Sequence, residues 1–243
     1  MVYITGDIHG NPTDLIYMAS HYGITKDDVI VLLGDVGANY YLNKRDLKTK
    51  KDLSEYIEAT ILCIHGNHEA RPATVEGYEL YEWNGGNVWV QSEYPNLLFA
   101  QDGSVFNLEG VSCLVLGGAY SVDKYYRLER GYAWFEDEQP SDEIKSHVAA
   151  QLETVNNKVD VVFSHTCPLK YEPIEVFLPG IDQSKVDKST EQWLDEIDDR
   201  LDYKAWYCGH WHINKRIDKM HFLYDGVESL DDLKRIDEES ESW

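Results

Sequence analysis

Five short segments rich in glycine, aspartate and histidine constrain the fold of this chain more than any other feature. They occupy residues 6–10, 34–37, 66–69, 164–166 and 209–212, and each follows a short apolar, β-branched or aromatic run. Open α/β sheets place ligand sites in the loops at the carboxyl ends of such strands. The pattern therefore predicts one metal site built from several strand ends. Its candidate side chains are Asp7, His9, Asp35, Asn67, His68, His165, His210 and His212.

The first hundred residues alternate between predicted strands and predicted helices. The strands are expected at 2–5, 29–33 and 61–64, and the helices at 13–22 and 44–59. Gly23 is placed to end the first helix, and Leu53, Tyr56 and Ile57 share one face of the second. This order predicts parallel strands joined by right-handed crossovers.

The rest of the chain predicts a second sheet, or a mixed extension of the first. Turn signals separate three expected antiparallel strands at 97–100, 105–108 and 111–116. Two more strands lead into His165 and His210, and a last strand is expected at 222–224. Helices are expected at 141–157 and 189–201, and Ser189 and Gln192 have the spacing of a capping box.

The candidate side chains come from both ends of the chain, which favours one domain over two. We expect that domain to span residues 1–227. The remainder, 228–243, is an acidic tail that we expect to be poorly ordered.

The charge of the chain limits its partners. With 44 acidic and 22 basic residues, the formal net charge is −22, which argues against nonspecific binding to nucleic acid or to an anionic membrane. No stretch reaches the roughly 18 uninterrupted apolar residues of a membrane span. A cleavable leader is not expected, because its removal would take Asp7 with it.

The four cysteines form no CxxC pair, and three lie inside apolar runs. We expect small buried thiols in a reducing cytoplasm, not disulfides or metal ligands. Cys208, two residues before His210, is the one thiol for which a role as a soft ligand stays open.

The spacing of the candidate residues suits cation binding. Residues i and i+2 of an extended segment point to the same side, as Asp7 and His9 would, and likewise His210 and His212. Carboxylate, imidazole and amide oxygen suit Mn, Fe, Zn, Ni or Co. Asp35 is the natural bridge between two ions, because its loop contributes only one ligand.

The chain resembles the calcineurin-like metallophosphoesterase superfamily in five sequence blocks: D-x-H, GD, GNH[DE], H and GHxH. The blocks occur in the same order as in that family, and the resemblance spans residues 2 to about 225. The resemblance implies a four-layer α/β/β/α sandwich of two mixed sheets flanked by helices. It also implies a phosphoesterase that uses two divalent metals, with Mn favoured, and a metal-bridging hydroxide as the nucleophile.

The same resemblance implies roles for single residues. Asp7, His9 and His212 would bind one metal, and Asn67, His165 and His210 the other, with Asp35 shared between them. His68 would contact the scissile phosphate and protonate the leaving group. The chain has Ala38 where the family often has a second Asp, which puts the support around the ligands in doubt but not the ligands. It also lacks the HGG block of the Ser/Thr protein phosphatases.

The substrate is not specified by these motifs. Arg71, Lys124 and Arg127 are candidate phosphate-binding residues, against the alternatives of a salt bridge for Arg71 and a solvated loop for the other two. Trp134 and Phe135, in the insert 119–140, could stack on a nucleobase or pack beneath the loop. A small phosphorylated substrate is expected, with a nucleotide as one option.

Three functional alternatives stay open. One is a phosphomonoesterase, and another is a phosphodiesterase acting on cyclic or dinucleotides. The third is a catalytically silent binding or regulatory module that needs metal. A structural metal domain is disfavoured, because structural sites prefer closed Cys/His tetrahedra.

Overall fold

A computed structural model describes residues 1–231 as two mixed β-sheets packed face to face, with helices on both outer surfaces. The four-layer α/β/β/α sandwich expected from the family resemblance is confirmed. Because successive side chains of a strand point to opposite faces of the sheet, each central strand contributes to two apolar layers, one between the sheets and one under the helices. In the second strand, for example, Val31 faces the other sheet while Ile30 and Leu32 face the helices.

The first sheet has seven strands. They are β1 (Val2–Thr5), β2 (Val29–Leu32), β3 (Thr60–Cys63), β4 (Tyr78–Trp83), β5 (Gly86–Gln91), β6 (Leu97–Ala100) and β13 (Val227–Ser229). Their order is β13-β1-β2-β3-β6-β5-β4, and β1, β2, β3 and β6 are parallel. The parallel crossovers predicted from the first hundred residues are therefore present.

The second sheet has six strands. They are β7 (Val105–Leu108), β8 (Val111–Leu116), β9 (Val161–Ser164), β10 (Ala205–Cys208), β11 (Lys215–Ile217) and β12 (Met220–Phe222). Their order is β11-β12-β10-β9-β8-β7, with β8, β9, β10 and β12 parallel.

The helices cover the outer faces of the sheets. They are α1 (Thr13–Tyr22), α2 (Lys44–Tyr56), α3 (Lys124–Arg130), α4 (Asp142–Thr154) and α5 (Ser189–Asp198). Side chains of α1 and α2, such as Leu15 and Leu53, pack on the first sheet. Side chains of α4 and α5, such as Leu152 and Leu194, pack on the second. The short helix α3, in the 119–140 insert, was not predicted.

Several local predictions were wrong. The strand β6 joins the first sheet beside β3 and is not antiparallel to β7 and β8. The helix α2 ends at Tyr56 and not at residue 59, because the backbone of Ile57 is already extended. The side chain of Tyr56 is exposed, so it does not share a buried face with Leu53. The expected capping box does not form, since the hydroxyl of Ser189 lies against the Gln139 side chain instead.

The carboxyl-terminal boundary also differs from the prediction. Glu228 and Ser229 were assigned to the tail, yet both lie in β13, antiparallel to β1. The rest of the predicted tail, from residue 232, falls outside the described residues.

Two composition-based predictions can be compared with residues 1–231. All four cysteines are buried and none of them forms a disulfide there. Within the same range, no helix is both long enough and apolar enough to cross a bilayer.

Two leucines of α2 provide a matched test of the packing. Leu53 is fully buried under the first sheet, whereas Leu47 is 50% exposed. We expect Leu53→Ala to lower the free energy of unfolding by about 2–5 kcal/mol, because it leaves a cavity, and Leu47→Ala to change it by less than about 1 kcal/mol. Urea unfolding of both variants measures this, and equal losses would contradict the placement of α2.

Candidate metal centre

The eight candidate side chains follow the carboxyl ends of five parallel strands, three from the first sheet and two from the second. β1 leads to Asp7 and His9, β2 to Asp35, and β3 to Asn67 and His68; β9 leads to His165, and β10 to His210 and His212. Because the two sheets pack with these ends on the same side, the loops meet over the seam between them. The structure therefore brings all eight side chains into one region.

One group of donors is formed by Asp7, His9 and His212. Nε2 of His212 lies 3.3 Å from Oδ2 of Asp7, and Nε2 of His9 lies 2.9 Å from Nε2 of His212. Nε2 of His9 is 3.8 Å from the same Asp7 oxygen. Atoms bound to one cation at about 2.0–2.2 Å are separated by similar distances.

A second group is formed around Asp35. Nε2 of His165 lies 3.5 Å from Oδ1 of Asp35 and 2.9 Å from Oδ1 of Asn67. The other Asp35 oxygen, Oδ2, faces Nδ1 of His9 at 3.8 Å. The half-buried ring of His210 lies beside His165, with ring centroids 5.0 Å apart. One oxygen of Asp35 is thus directed toward His165 and the other toward the His9 ring, whose Nε2 belongs to the first group of donors.

Hydrogen bonds from the surrounding chain fix which atoms face the centre. Nδ1 of His165 donates to the Leu33 carbonyl at 2.7 Å, which leaves Nε2 as an acceptor in the neutral ring. Nδ2 of Asn67 donates to the Ser121 hydroxyl at 2.9 Å, which turns Oδ1 inward. Two acceptors that face each other at 2.9 Å need a cation or a proton between them. The donor set therefore fits a metal ion.

The loops that carry the donors are held in an uncommon backbone conformation. His9, Asp35, His210 and His212 have φ values of 45°, 47°, 67° and 50°, in the left-handed region that non-glycine residues rarely occupy. The paired donors thus converge because the loops curl, and not because they continue as extended strands, as the i, i+2 argument supposed. Strain of this kind often occurs at functional sites.

Glycines allow the loops to pack directly under the donors. A Cβ added at Gly34 would lie 2.1 Å from Nδ1 of His165, and one at Gly209 would lie 2.3 Å from Oδ1 of Asp7. The close backbone approach expected from these glycines is therefore present.

The pKa shifts favour an ionised Asp35 and a neutral His210, whereas a hydrogen bond with Asp7 raises the pKa of His212. Burial alone would raise the pKa of Asp35, but His165, His68 and His9 outweigh it, and the pKa lies below its ordinary value. Burial holds the pKa of His210 well below its ordinary value, and His165 adds to that effect. These are the protonation states in which both residue types bind metals.

His68 contacts both the donors and the insert, and its Nε2 lies 4.0 Å from Oδ2 of Asp35. Nη2 of Arg127 lies against Nε2 of His68, and Nε of Arg127 donates to Asp123 at 2.8 Å. Burial lowers the pKa of His68 to about 4; Asp35 opposes this shift and Arg127 reinforces it. The Tyr40 ring stacks beside His68, with centroids 6.2 Å apart.

The sequence model of the family described as calcineurin-like phosphoesterase matches residues 1–214. The chain belongs to this family. It is therefore a metal-dependent phosphoesterase in the general sense, a hydrolase acting on ester bonds. Comparison with curated proteins gives no match.

Three solved structures that resemble this chain are distant from it in sequence. TT1561 of Thermus thermophilus has 14% identity and a TM-score of 0.46, over 86% of this chain and 80% of its own. The phosphopantetheinyl hydrolase PptH of Mycobacterium tuberculosis has 14% identity and a TM-score of 0.46, over 96% and 91%. A third structure has 12% identity and a TM-score of 0.52, over 95% of each chain. At this identity the third likeness supports the fold alone.

Two of the residues predicted to bind phosphate, Arg71 and Lys124, make contacts away from the candidate metal centre. Arg71 donates to Asp102 at 2.6 Å and to the Asp137 carbonyl at 2.8 Å, so its salt-bridge alternative is the one seen. The Lys124 ammonium sits 3.9 Å from the centre of the Trp134 ring. Of the three cations, only Arg127 reaches the centre.

Sequence reasoning missed the residues that support the donors. Glu69 is buried behind the centre and accepts a hydrogen bond from the Gly66 amide at 3.1 Å. Burial, together with Asp35, raises its pKa to about 8. Glu138 accepts from the Ser121 amide at 3.0 Å and so holds the residue that orients Asn67. Glu69 could have been noted from the GNH[DE] block, whereas the bond of Glu138 depends on a fold of the insert that no motif specifies.

Two glycines separate the effect of crowding from that of backbone strain. Gly34 and Gly110 both have positive φ, but a Cβ at Gly110 would meet nothing within 4 Å. We expect Gly34→Ala to weaken Mn²⁺ binding at least about tenfold, because it displaces His165. Gly110→Ala should cost only about 1 kcal/mol of stability, with binding unchanged. Calorimetric titration with Mn²⁺ measures this, and equal binding in both variants would argue against the role of His165.

Proposed function

We propose that this chain is a dimetal phosphoesterase in which Asp35 is shared between two divalent cations. The proposal rests mainly on one observation: Oδ1 of Asp35 faces His165 and Oδ2 faces His9. Under this proposal one cation is held by Asp7, His9 and His212, and the other by Asn67, His165 and His210. Oxygen and imidazole donors without thiolate suit Mn, Fe, Zn, Ni and Co, and Mn is favoured among them on the family resemblance.

Such a pair of cations supplies an activated water and polarises the phosphoryl oxygens. The chain itself supplies the groups around them. Arg127 is buried, is anchored by Asp123, and has Nη1 without a hydrogen-bond partner in residues 1–231. A guanidinium placed in this way suits charge-assisted hydrogen bonds to phosphoryl oxygens.

His68 is proposed to contact the scissile phosphate and to protonate the leaving oxygen. In the structure its Nε2 faces Arg127, so that atom is an acceptor. Binding of the phosphoryl group would draw the guanidinium toward the phosphate and release Nε2 of His68. Arg127 would then bind the phosphoryl charge, while the released Nε2 of His68 would take up a proton from solvent beside the phosphoryl anion and pass it to the leaving oxygen.

The substrate is proposed to be a small phosphate ester. The net charge of −22 disfavours nucleic acid as a partner. A single domain is proposed, because both sheets contribute donors to the same centre. It extends to Ser229, because β13 pairs with β1 in the first sheet. A cytoplasmic location is proposed from the buried, unpaired thiols.

Loss of His68 should separate metal binding from turnover. We expect His68→Ala to bind Mn²⁺ like the parent protein, while kcat on ethyl phosphate falls about 10²–10⁴-fold and kcat on bis(4-nitrophenyl) phosphate falls less, because 4-nitrophenolate leaves without a proton. Addition of a chelator should abolish turnover in both proteins. Full metal content without hydrolysis of either ester in the parent protein would favour the silent binding module.

Two arginines of α3 test the role of the guanidinium. Arg127 is buried beside His68, whereas Arg130 is exposed and lies over the Tyr126 ring. We expect Arg127→Met to lower kcat/KM about 10- to 100-fold, as for the loss of a charged hydrogen bond, and Arg130→Met to leave it unchanged. Equal kinetics in the two variants would exclude Arg127 from phosphate binding.

A further inference from the structure

The cavity that contains the candidate metal centre extends well beyond it, with a volume of about 450 Å³. Its far part is walled by apolar and aromatic side chains of the insert, of the segment 168–188 and of the loop after β10: Tyr120, Val122, Val176, Phe177, Ile181 and Trp211. The rings of Phe177 and Trp211 lie nearly parallel, with centroids 5.7 Å apart and an interplanar angle of 23°. The two rings stack on each other and form an aromatic part of the cavity wall.

The charged side chains that line the cavity beyond the candidate metal ligands are all acidic. Among residues 1–231, no lysine or arginine lines the cavity, whereas Asp123, Glu172 and Glu191 do. Glu172 is already neutralised by Lys188, with Nζ and Oε2 2.5 Å apart. Glu191 is buried and accepts a hydrogen bond from the Thr166 hydroxyl at 3.0 Å. The Lys188 ammonium lies 5.1 Å from the centre of the Phe177 ring, but it is already paired with Glu172. A second phosphate or a carboxylate on the substrate would have to compete with that carboxylate for it.

We propose that the substrate is a phosphate ester with one phosphoryl group on a planar, mainly apolar alcohol that carries no further negative charge. This inference rests on the proposed function, because it places the phosphoryl group at the cations. The planar group then packs against the accessible parts of Phe177 and Trp211, where aromatic contacts gain energy beyond the burial of area. A polyol phosphate would instead leave hydroxyl groups unpaired against an apolar wall.

Burial also raises the pKa of Glu191 to about 7, opposed by hydrogen bonds from its own backbone and from Thr166. A carboxyl group of this kind can accept a hydrogen bond from a neutral donor on the planar group.

The test uses three alkyl phosphates whose leaving oxygens are chemically alike: ethyl, 2-phenylethyl and 2-(4-carboxyphenyl)ethyl phosphate. With the Mn²⁺-loaded full chain, we expect kcat/KM for the phenylethyl ester to exceed that for the ethyl ester at least about tenfold. The carboxyphenyl ester should lose most of that gain. Similar values for all three esters would overturn the inference.

A matched pair of variants in the 168–188 segment localises the effect. Phe177 lines the cavity, whereas Ile174, three residues earlier, is 73% exposed and does not. We expect Phe177→Ala to raise KM for the phenylethyl ester about tenfold with the ethyl ester unaffected, and Ile174→Ala to change neither. An equal change on both esters in Phe177→Ala would point to disturbance of the metal end and would contradict the proposed subsite.

Failure of the proposed function and failure of the proposed substrate class give different results. Absence of hydrolysis of all three esters, with metal bound, would overturn the proposed function. Hydrolysis of all three at equal efficiency would leave the phosphoesterase intact and would overturn only the substrate class.

Discussion

The buried carboxylate of Asp35 is the group on which the rest of the site depends. It is 2% exposed and lies where loops from both sheets meet. A buried charge is costly unless it is paired and hydrogen bonded. Here the His68 amide donates to Oδ1 at 2.7 Å, while imidazoles of three other loops surround both oxygens. Without cations the remaining charge would be poorly compensated, and metal binding is therefore expected to stabilise the fold itself.

The two sheets contribute differently to this arrangement. The first sheet delivers both aspartates and the asparagine, and the second delivers His165, His210 and His212. Their mutual packing through Val31, Phe163 and Tyr207 sets the distance between the two groups of donors. The packing of the apolar core between the sheets thus determines where the Asp35 carboxylate lies relative to the histidines of the second sheet.

The sequence was sufficient to predict the parallel strands and the convergence of the eight side chains, because apolar runs and glycine-flanked polar residues carry both signals. It was insufficient where long-range packing decides. The strand β6 could pair with either sheet on its own pattern, and β13 is only three residues long. The wall formed by Phe177 lies among three 3₁₀ helices, whose length is too short to show a period. The curled loops at His9 and His212 were missed since i, i+2 spacing does not distinguish an extended segment from a turn.

The most direct test of the central claim is electron paramagnetic resonance of the full chain titrated with Mn²⁺. The account predicts two Mn²⁺ per chain with the spectrum of a spin-coupled pair, and loss of that coupling in Asp35→Ala. A single uncoupled Mn²⁺ per chain, or a coupled pair that persists unchanged in Asp35→Ala, would contradict it.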